Sequence, residues 1–211
     1  MEVAYVVLGW LLGMLSPIIV SRAKIKYKKN DLYSVLINEL DEVQYRLVCT
    51  SYMLGARFGL FDRGFLGWCR NIYETYVGGE DKDKLIRAVD SMLNMSDEQM
   101  KEYIGIERRD LNKGFALKKT ILTFSELNLT DIGVFSFRFQ NILFELRARI
   151  INLNQEIERV EKLHFMTFDS SITVENHEII KKDIQAKYST IQDMMIMVVD
   201  KIDEIKKLKK Y

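Results

Sequence analysis

The run from Val3 to Val20 has no charged side chain, and only Gly9, Gly13 and Ser16 dilute its Val, Leu, Ile, Trp and Met. So apolar a stretch must be covered by something. As a helix its eighteen residues would rise ~27 Å, against ~30 Å for the hydrocarbon of a bilayer. A secretory signal carries its positive charge before the apolar run and a small-residue cleavage site after it. Here Glu2 precedes the run, Arg22, Lys24, Lys26, Lys28 and Lys29 follow it, and no A-x-A pattern is present. We therefore read residues 1–29 as an uncleaved transmembrane anchor with a basic juxtamembrane flank. That flank belongs inside, which sets the N-terminus outside and residues 30–211 in the cytoplasm.

The anchor carries a second pattern. Gly9-Trp10-Leu11-Leu12-Gly13 is a GxxxG motif, and Ser16 continues its small-residue face. Small residues let helices approach closely, so this face suits packing of one anchor against another. Glycine is also common in membrane helices without any such role.

Beyond the anchor the composition is that of a folded protein, with 48% hydrophobic and 29% charged residues. A single proline argues against Pro-rich and turn-dense β architectures, and two cysteines are too few for a disulfide framework. The net charge of +1 conceals an asymmetry. The basic flank and Lys206, Lys207, Lys209 and Lys210 leave 22 bases against 29 acids in residues 30–205, a net of −7.

That body reads as helical throughout. Asp31 is placed to cap a helix through Leu32, Leu36, Leu40, Val43 and Leu47. Residues 52–77 interleave Tyr52, Phe58, Phe61, Phe65, Trp68, Tyr73 and Tyr76 with Gly55, Gly59, Gly64 and Gly67, and include Arg57, Arg63 and Arg70. Aromatics with arginines can stack single-stranded nucleic acid, but a helix crossing packed through glycine notches is the better reading. Short helices are expected at 82–94 and 97–113, the second opened by the capping-box pattern Ser96-Asp97-Glu98-Gln99. Phe135, Phe139, Ile142, Leu146, Ile150, Leu153, Ile157, Val160 and His164 predict one helix over 131–168. Ile180, Ile184, Tyr188, Ile191, Met195, Val198, Ile202 and Ile205 predict another over 174–209, joined to the first by residues 169–173 as a long antiparallel hairpin. The fold class expected is all-α: a single N-terminal transmembrane helix, then a cytoplasmic helical bundle.

Few residues suggest chemistry. No Gly-Lys dipeptide offers a phosphate loop, and Cys49 and Cys69 form no C-x-x-C pair. Glu161-x-x-His164 has the spacing of a di-iron ligand pair, but Val174 stands where the second copy would need its acid before His177. No metal and no cofactor is expected. What remains is Arg159-Val160-Glu161-Lys162-Leu163-His164, an R-x4-H motif. In RNA cleavage a histidine can move a proton at the 2′-hydroxyl or the leaving oxygen while an arginine holds the phosphate. Because His164 also continues the apolar stripe, it can equally be a core or helix-end histidine.

R-x4-H on a helical bundle resembles the motif of HEPN domains, whose ribonuclease members pair two such motifs across a dimer. Behind a single N-terminal anchor in a chain of this length, it resembles the small accessory membrane protein of type VI-B CRISPR systems. The residues that carry the resemblance are the apolar run at 3–20, its basic flank, Arg159 and His164. The resemblance implies an octameric ring forming a pore in the bacterial inner membrane, beside an RNA-guided RNase effector, that strengthens antiphage defence by compromising that membrane. It implies the lipid bilayer and further copies of the chain as partners, with RNA only weakly indicated. Val160 departs from the polar residue that usually follows the arginine in active HEPN ribonucleases, so no enzymatic activity is expected. The alternatives are a membrane-tethered HEPN ribonuclease, in which Arg159 and His164 are catalytic, and a helical scaffold with neither activity.

Overall fold

The structure is a computed structural model. It describes residues 2–79, 81–107, 116–126 and 129–208, with side chains at all of these except 2–4, 6–9, 11, 105–107, 125, 126, 129 and 130. The described residues form helices joined by turns and loops and contain no strand. The elements are α1 (Glu2–Phe58), α2 (Arg63–Thr75), α3 (Lys82–Leu93), α4 (Asp97–Glu107), a 3-10 turn (Thr123–Glu126), α5 (Leu129–Ile132), α6 (Phe137–Met166) and α7 (Val174–Lys207).

The expected transmembrane anchor is corrected. Among the described residues no helix is long and apolar enough to cross a membrane. The run is also not a separate element. It is the first part of α1, which continues without a break through the basic flank to Phe58 and so crosses the boundary drawn at residue 29. With the anchor go the transmembrane helix, the inner-membrane localisation with its outward N-terminus, and the membrane pore. Asp31 likewise caps nothing, because Arg22-Ala23-Lys24 and the residues after it are good helix formers with no breaker among them.

The hairpin forms as expected, because every apolar residue of the two stripes from Phe135 to Val160 and from Ile180 to Ile205 is buried. Ser136 and Thr173 cap α6 and α7, each hydroxyl accepting from the backbone N–H three residues on. The two helices run antiparallel. Cross-helix bonds join His164 to Tyr188, Glu156 to Lys187, Arg149 to the Met197 carbonyl and Glu145 to Lys201, so the partners move apart in sequence away from the turn.

The second half of α1 also lies antiparallel on α7. Tyr33 reaches the Leu208 carbonyl, Gln44 donates to Asp203 at 2.6 Å, and Gln192 donates to the Ser51 carbonyl at 3.2 Å. Leu36, Leu40, Val43, Leu47, Val48 and Leu54 are buried against this core. Ahead of them, every side chain from Leu12 to Lys28 is exposed, so this part of α1 forms an arm beyond the bundle.

Residues 52–77 use their aromatics internally. The rings form a chain, Tyr52 to Phe61, Phe61 to Phe65 and Phe65 to Trp68, with centroids 5.4–5.9 Å apart. Arg63 donates to the carbonyls of Leu93 and Met95 at 2.7 Å and pairs with Asp97, while Arg70 pairs with Asp90 and Glu74. These arginines hold α2 to the α3–α4 junction. The capping box at Ser96 and Gln99 is reciprocal, as its pattern implies.

The glycines here separate into two kinds. A Cβ on Gly55 would lie 2.6 Å from the Phe61 ring, whereas one on Gly67 meets nothing within 4 Å. Gly55→Ala should therefore destabilise the fold by about 1–3 kcal/mol, because the aromatic chain cannot retreat. Gly67→Ala, inside α2, should be neutral or stabilising by up to ~1 kcal/mol. Urea denaturation of both variants checks the contrast, and equal effects would remove the notch from the account.

Candidate functional site

The R-x4-H motif lies on the last third of α6, where that helix packs on α7. Five residues of α-helix turn through ~140° net, so Arg159 and His164 leave the helix in different directions. His164 lies on the apolar line that ends at Val160 and is half-buried. Its Nε2 is 2.5 Å from the Tyr188 hydroxyl. Tyr188 in turn stacks on Phe58, the last residue of α1, with centroids 4.4 Å apart. His164 thus sits where α1, α6 and α7 meet. Burial pushes its pKa below the ordinary 6.5, because a partly dry site penalises the imidazolium.

Arg159 points outward and its side chain is 61% exposed. Its guanidinium pairs with Glu156, whose other oxygen accepts from Lys187 at 2.8 Å. The hydrogen bond from Lys187, with the charge of Arg159 adding to it, holds the Glu156 carboxyl below its usual range. Arg159 borders a groove of about 560 Å³ with Lys162, Leu163, Asp183, Ala186, Lys187 and Thr190. His164 is not in that groove. Within one chain, the two motif residues therefore do not converge on a common point.

The other expected site residues are dispersed. Arg22, Lys24 and Lys26 are exposed on the arm, and Lys28 pairs with Asp131 of α5 at 2.7 Å. Ser16 is exposed and Gly13 has open space around it. Gly9, the other half of the GxxxG motif, lies outside the residues whose side chains are described, as do Lys209 and Lys210. Cys49 and Cys69 are unpaired thiols that burial pushes up in pKa, so both are poor nucleophiles. Among the described residues no group of three or more His, Cys, Asp or Glu is arranged to hold a metal.

Two residues important to this region were not singled out from the sequence. Tyr188 counted only as part of an apolar stripe, and its hydroxyl gave no sign of its partner. Glu156 stands three residues before Arg159 and was legible as a helical ion pair, but its second bond, to Lys187, was not.

No protein-family model matches this chain, and neither a curated protein nor a solved structure matches it.

The half-buried imidazole gives a pH dependence whose sign is fixed. A histidine with a lowered folded pKa favours the neutral ring in the native state, so its contribution is complete above about pH 6.5 and is lost as the pH falls below that value. Glu145, Glu156 and Glu158 are all held below their ordinary 4.5 and do not titrate in that window. Thermal melting between pH 7.5 and 5.5 should show wild type losing stability and His164→Gln losing clearly less. An identical slope in the two proteins would place the titrating group elsewhere. Tyr188→Phe at pH 7.5 should cost about 1 kcal/mol through the lost hydrogen bond.

Proposed function

We propose that this chain is a non-enzymatic, self-assembling accessory protein that works beside an RNA-guided RNase effector in antiphage defence. One observation carries the non-enzymatic part. Arg159 is held by Glu156 at the surface and His164 by Tyr188 at the junction of three helices, so the polar groups of the motif already have partners within the chain. A phosphate gripped by this arginine is not presented to this histidine in the same chain. His164 instead fixes α6 against α7 and the end of α1, while Arg159 acts only through Glu156, which Lys187 of α7 also holds.

The role in defence rests on the resemblance to the type VI-B accessory family through R-x4-H on an all-helical bundle. Self-assembly is supported by the arm. Leu12, Met14, Leu15, Ile18, Ile19 and Val20 are all exposed, together with Ile25 and Tyr27. Contiguous apolar surface of this extent marks an interaction site. Further copies of the chain are the partner proposed here.

The test joins a biochemical and a cellular readout. Purified full-length protein should leave single-stranded RNA intact, while co-expression with an RNA-guided RNase effector should raise phage resistance. His164→Ala should weaken that resistance, because removing one partner of a half-buried polar contact costs ~1–3 kcal/mol, whereas Arg159→Ala, at an exposed pair worth ~0–1 kcal/mol, should change it little. Robust RNA cleavage by wild type that vanishes in both variants, with the assembly intact, would overturn this reading in favour of a ribonuclease.

A further inference from the structure

The hairpin of α6 and α7 ends in an apolar tip that the bundle does not cover. Phe165, Met166, Phe168, Val174 and Ile179 are all exposed, Phe168 at 85% and Val174 at 77%. The turn is held by polar bonds in which these side chains take no part. The Asp169 carboxylate accepts from the backbone N–H and the hydroxyl of Ser171, the Thr173 hydroxyl caps α7, and His177 Nε2 lies 3.1 Å from the Asp169 carbonyl oxygen. Residues 165–180 contain Asp169, Glu175 and Glu178 but no Lys or Arg. At the inner margin stand Glu161 and Asp183 with Lys162, Lys181 and Lys182, and Lys181 is already paired with Glu178 at 2.8 Å. α1 ends beside Tyr188, ~21 Å along α7 from Val174, so its Arg57 does not reach the tip. The tip is therefore both apolar and acidic.

The arm of α1 is apolar with the opposite charge. Between Leu12 and Tyr27 it carries Arg22, Lys24 and Lys26 and no acid, and these three exposed bases have no ion-pair partner among the described residues. Arm and tip lie at opposite ends of the molecule. α1 runs antiparallel on α7, and Tyr33 reaches the carbonyl of Leu208, ~51 Å along that helix from Val174. From there the arm, ~24 Å from Leu12 to Lys28, continues away from the tip. A chain cannot lay its arm on its own tip, but another copy can.

We propose that the arm of one copy docks on the hairpin tip of the next, so that the chain assembles head to tail. This rests on the self-assembly proposed above and supplies the surface that receives the arm. Apolar side chains meet apolar side chains, and Arg22, Lys24 and Lys26 meet Asp169 and Glu175, the complementarity that selects one partner surface over another. Two arms packed on each other would bring six bases together with no acid. The ridge of Phe137, Phe144 and Ile151 on α6 is also exposed, but exposed Arg138 and Arg147 beside it repeat the charge of the arm, and Glu158 is held by Lys119. A contact between two different surfaces leaves each copy with a tip and an arm to offer, so the assembly grows until it closes on itself or continues as a filament.

The experiment follows mass by size exclusion with light scattering on the full-length chain. Wild type should be oligomeric. An arm variant (Arg22→Glu, Lys24→Glu and Lys26→Glu) and a tip variant (Glu175→Lys and Glu178→Lys) should each fall toward the monomer mass. Mixed in equal amounts they should regain the wild-type mass, because reversed arm meets reversed tip and native arm meets native tip, and that recovery also shows both variants folded. An uncharged variant, Phe165→Gln with Phe168→Gln, should lower the mass with helicity unchanged, since both rings are exposed. Beside an oligomeric wild type, an unchanged mass for the tip variants overturns the tip as receiver and leaves self-assembly standing. Failure of the mixture to regain mass overturns the pairing of arm with tip. A monomeric wild type overturns both the docking and the self-assembly.

Discussion

The fold depends on α7 being buried from two sides. Ile191, Met195, Val198, Val199, Ile202 and Ile205 are all essentially inaccessible, because α6 covers one side of the helix and the second half of α1 covers the other. Burying a large aliphatic side chain is worth ~1.5–3 kcal/mol each, and no other helix concentrates so many at full burial in consecutive turns. Remove α7 and α6 loses its main partner, while α1 is left with α2 and α4. The polar bonds are arranged around that contact. Gln44 to Asp203, Lys206 to Asp41 and Gln192 to the Ser51 carbonyl set the register of α1, and Glu145 to Lys201 with Glu156 to Lys187 set that of α6.

This arrangement explains why charged residues suggestive of nucleic-acid or phosphate chemistry are occupied. Arg63 and Arg70 tie α2 to the α3–α4 junction, and Arg159 shares Glu156 with Lys187. Surface pairs of this kind contribute little stability each, ~0–1 kcal/mol. They do, however, direct long side chains that would otherwise be free to grip a ligand. The uncommitted surface is of a different sort: the apolar arm of α1 and the ridge on α6.

Much of the bundle was legible beforehand. Spacings of three and four among Phe139, Ile142, Leu146 and Ile150 identified both the helix and its buried face, and the capping box at Ser96 and Gln99 marked a helix start. The aromatic and glycine mixture at 52–77 was read correctly as packing, since Gly55 does hold the Phe61 ring where a methyl would collide. The anchor was misjudged because hydropathy was summed over a run of sequence without regard to the element containing it. The run is one end of a helix that continues through Lys29 into the core. The stripe on α7 was drawn too narrow, omitting Gln192 and Val199, because a single apolar line is what one partner demands and α7 has two.

By itself, then, the sequence determined the all-helical class, the hairpin and the face each hairpin helix turns inward, since helical periodicity is a local property written every three or four residues. Tertiary structure decided what those faces meet. It put the Tyr188 hydroxyl on His164 across 24 residues and Gln192 on Ser51 across 141. It left Phe137, Phe144 and Ile151 uncovered, whereas the divergence of Arg159 from His164 follows from their helical spacing alone. Two apolar lines on one helix look alike in sequence. Which of them is buried depends on how many neighbours the helix acquires, and that number is settled by contacts between residues far apart in the chain.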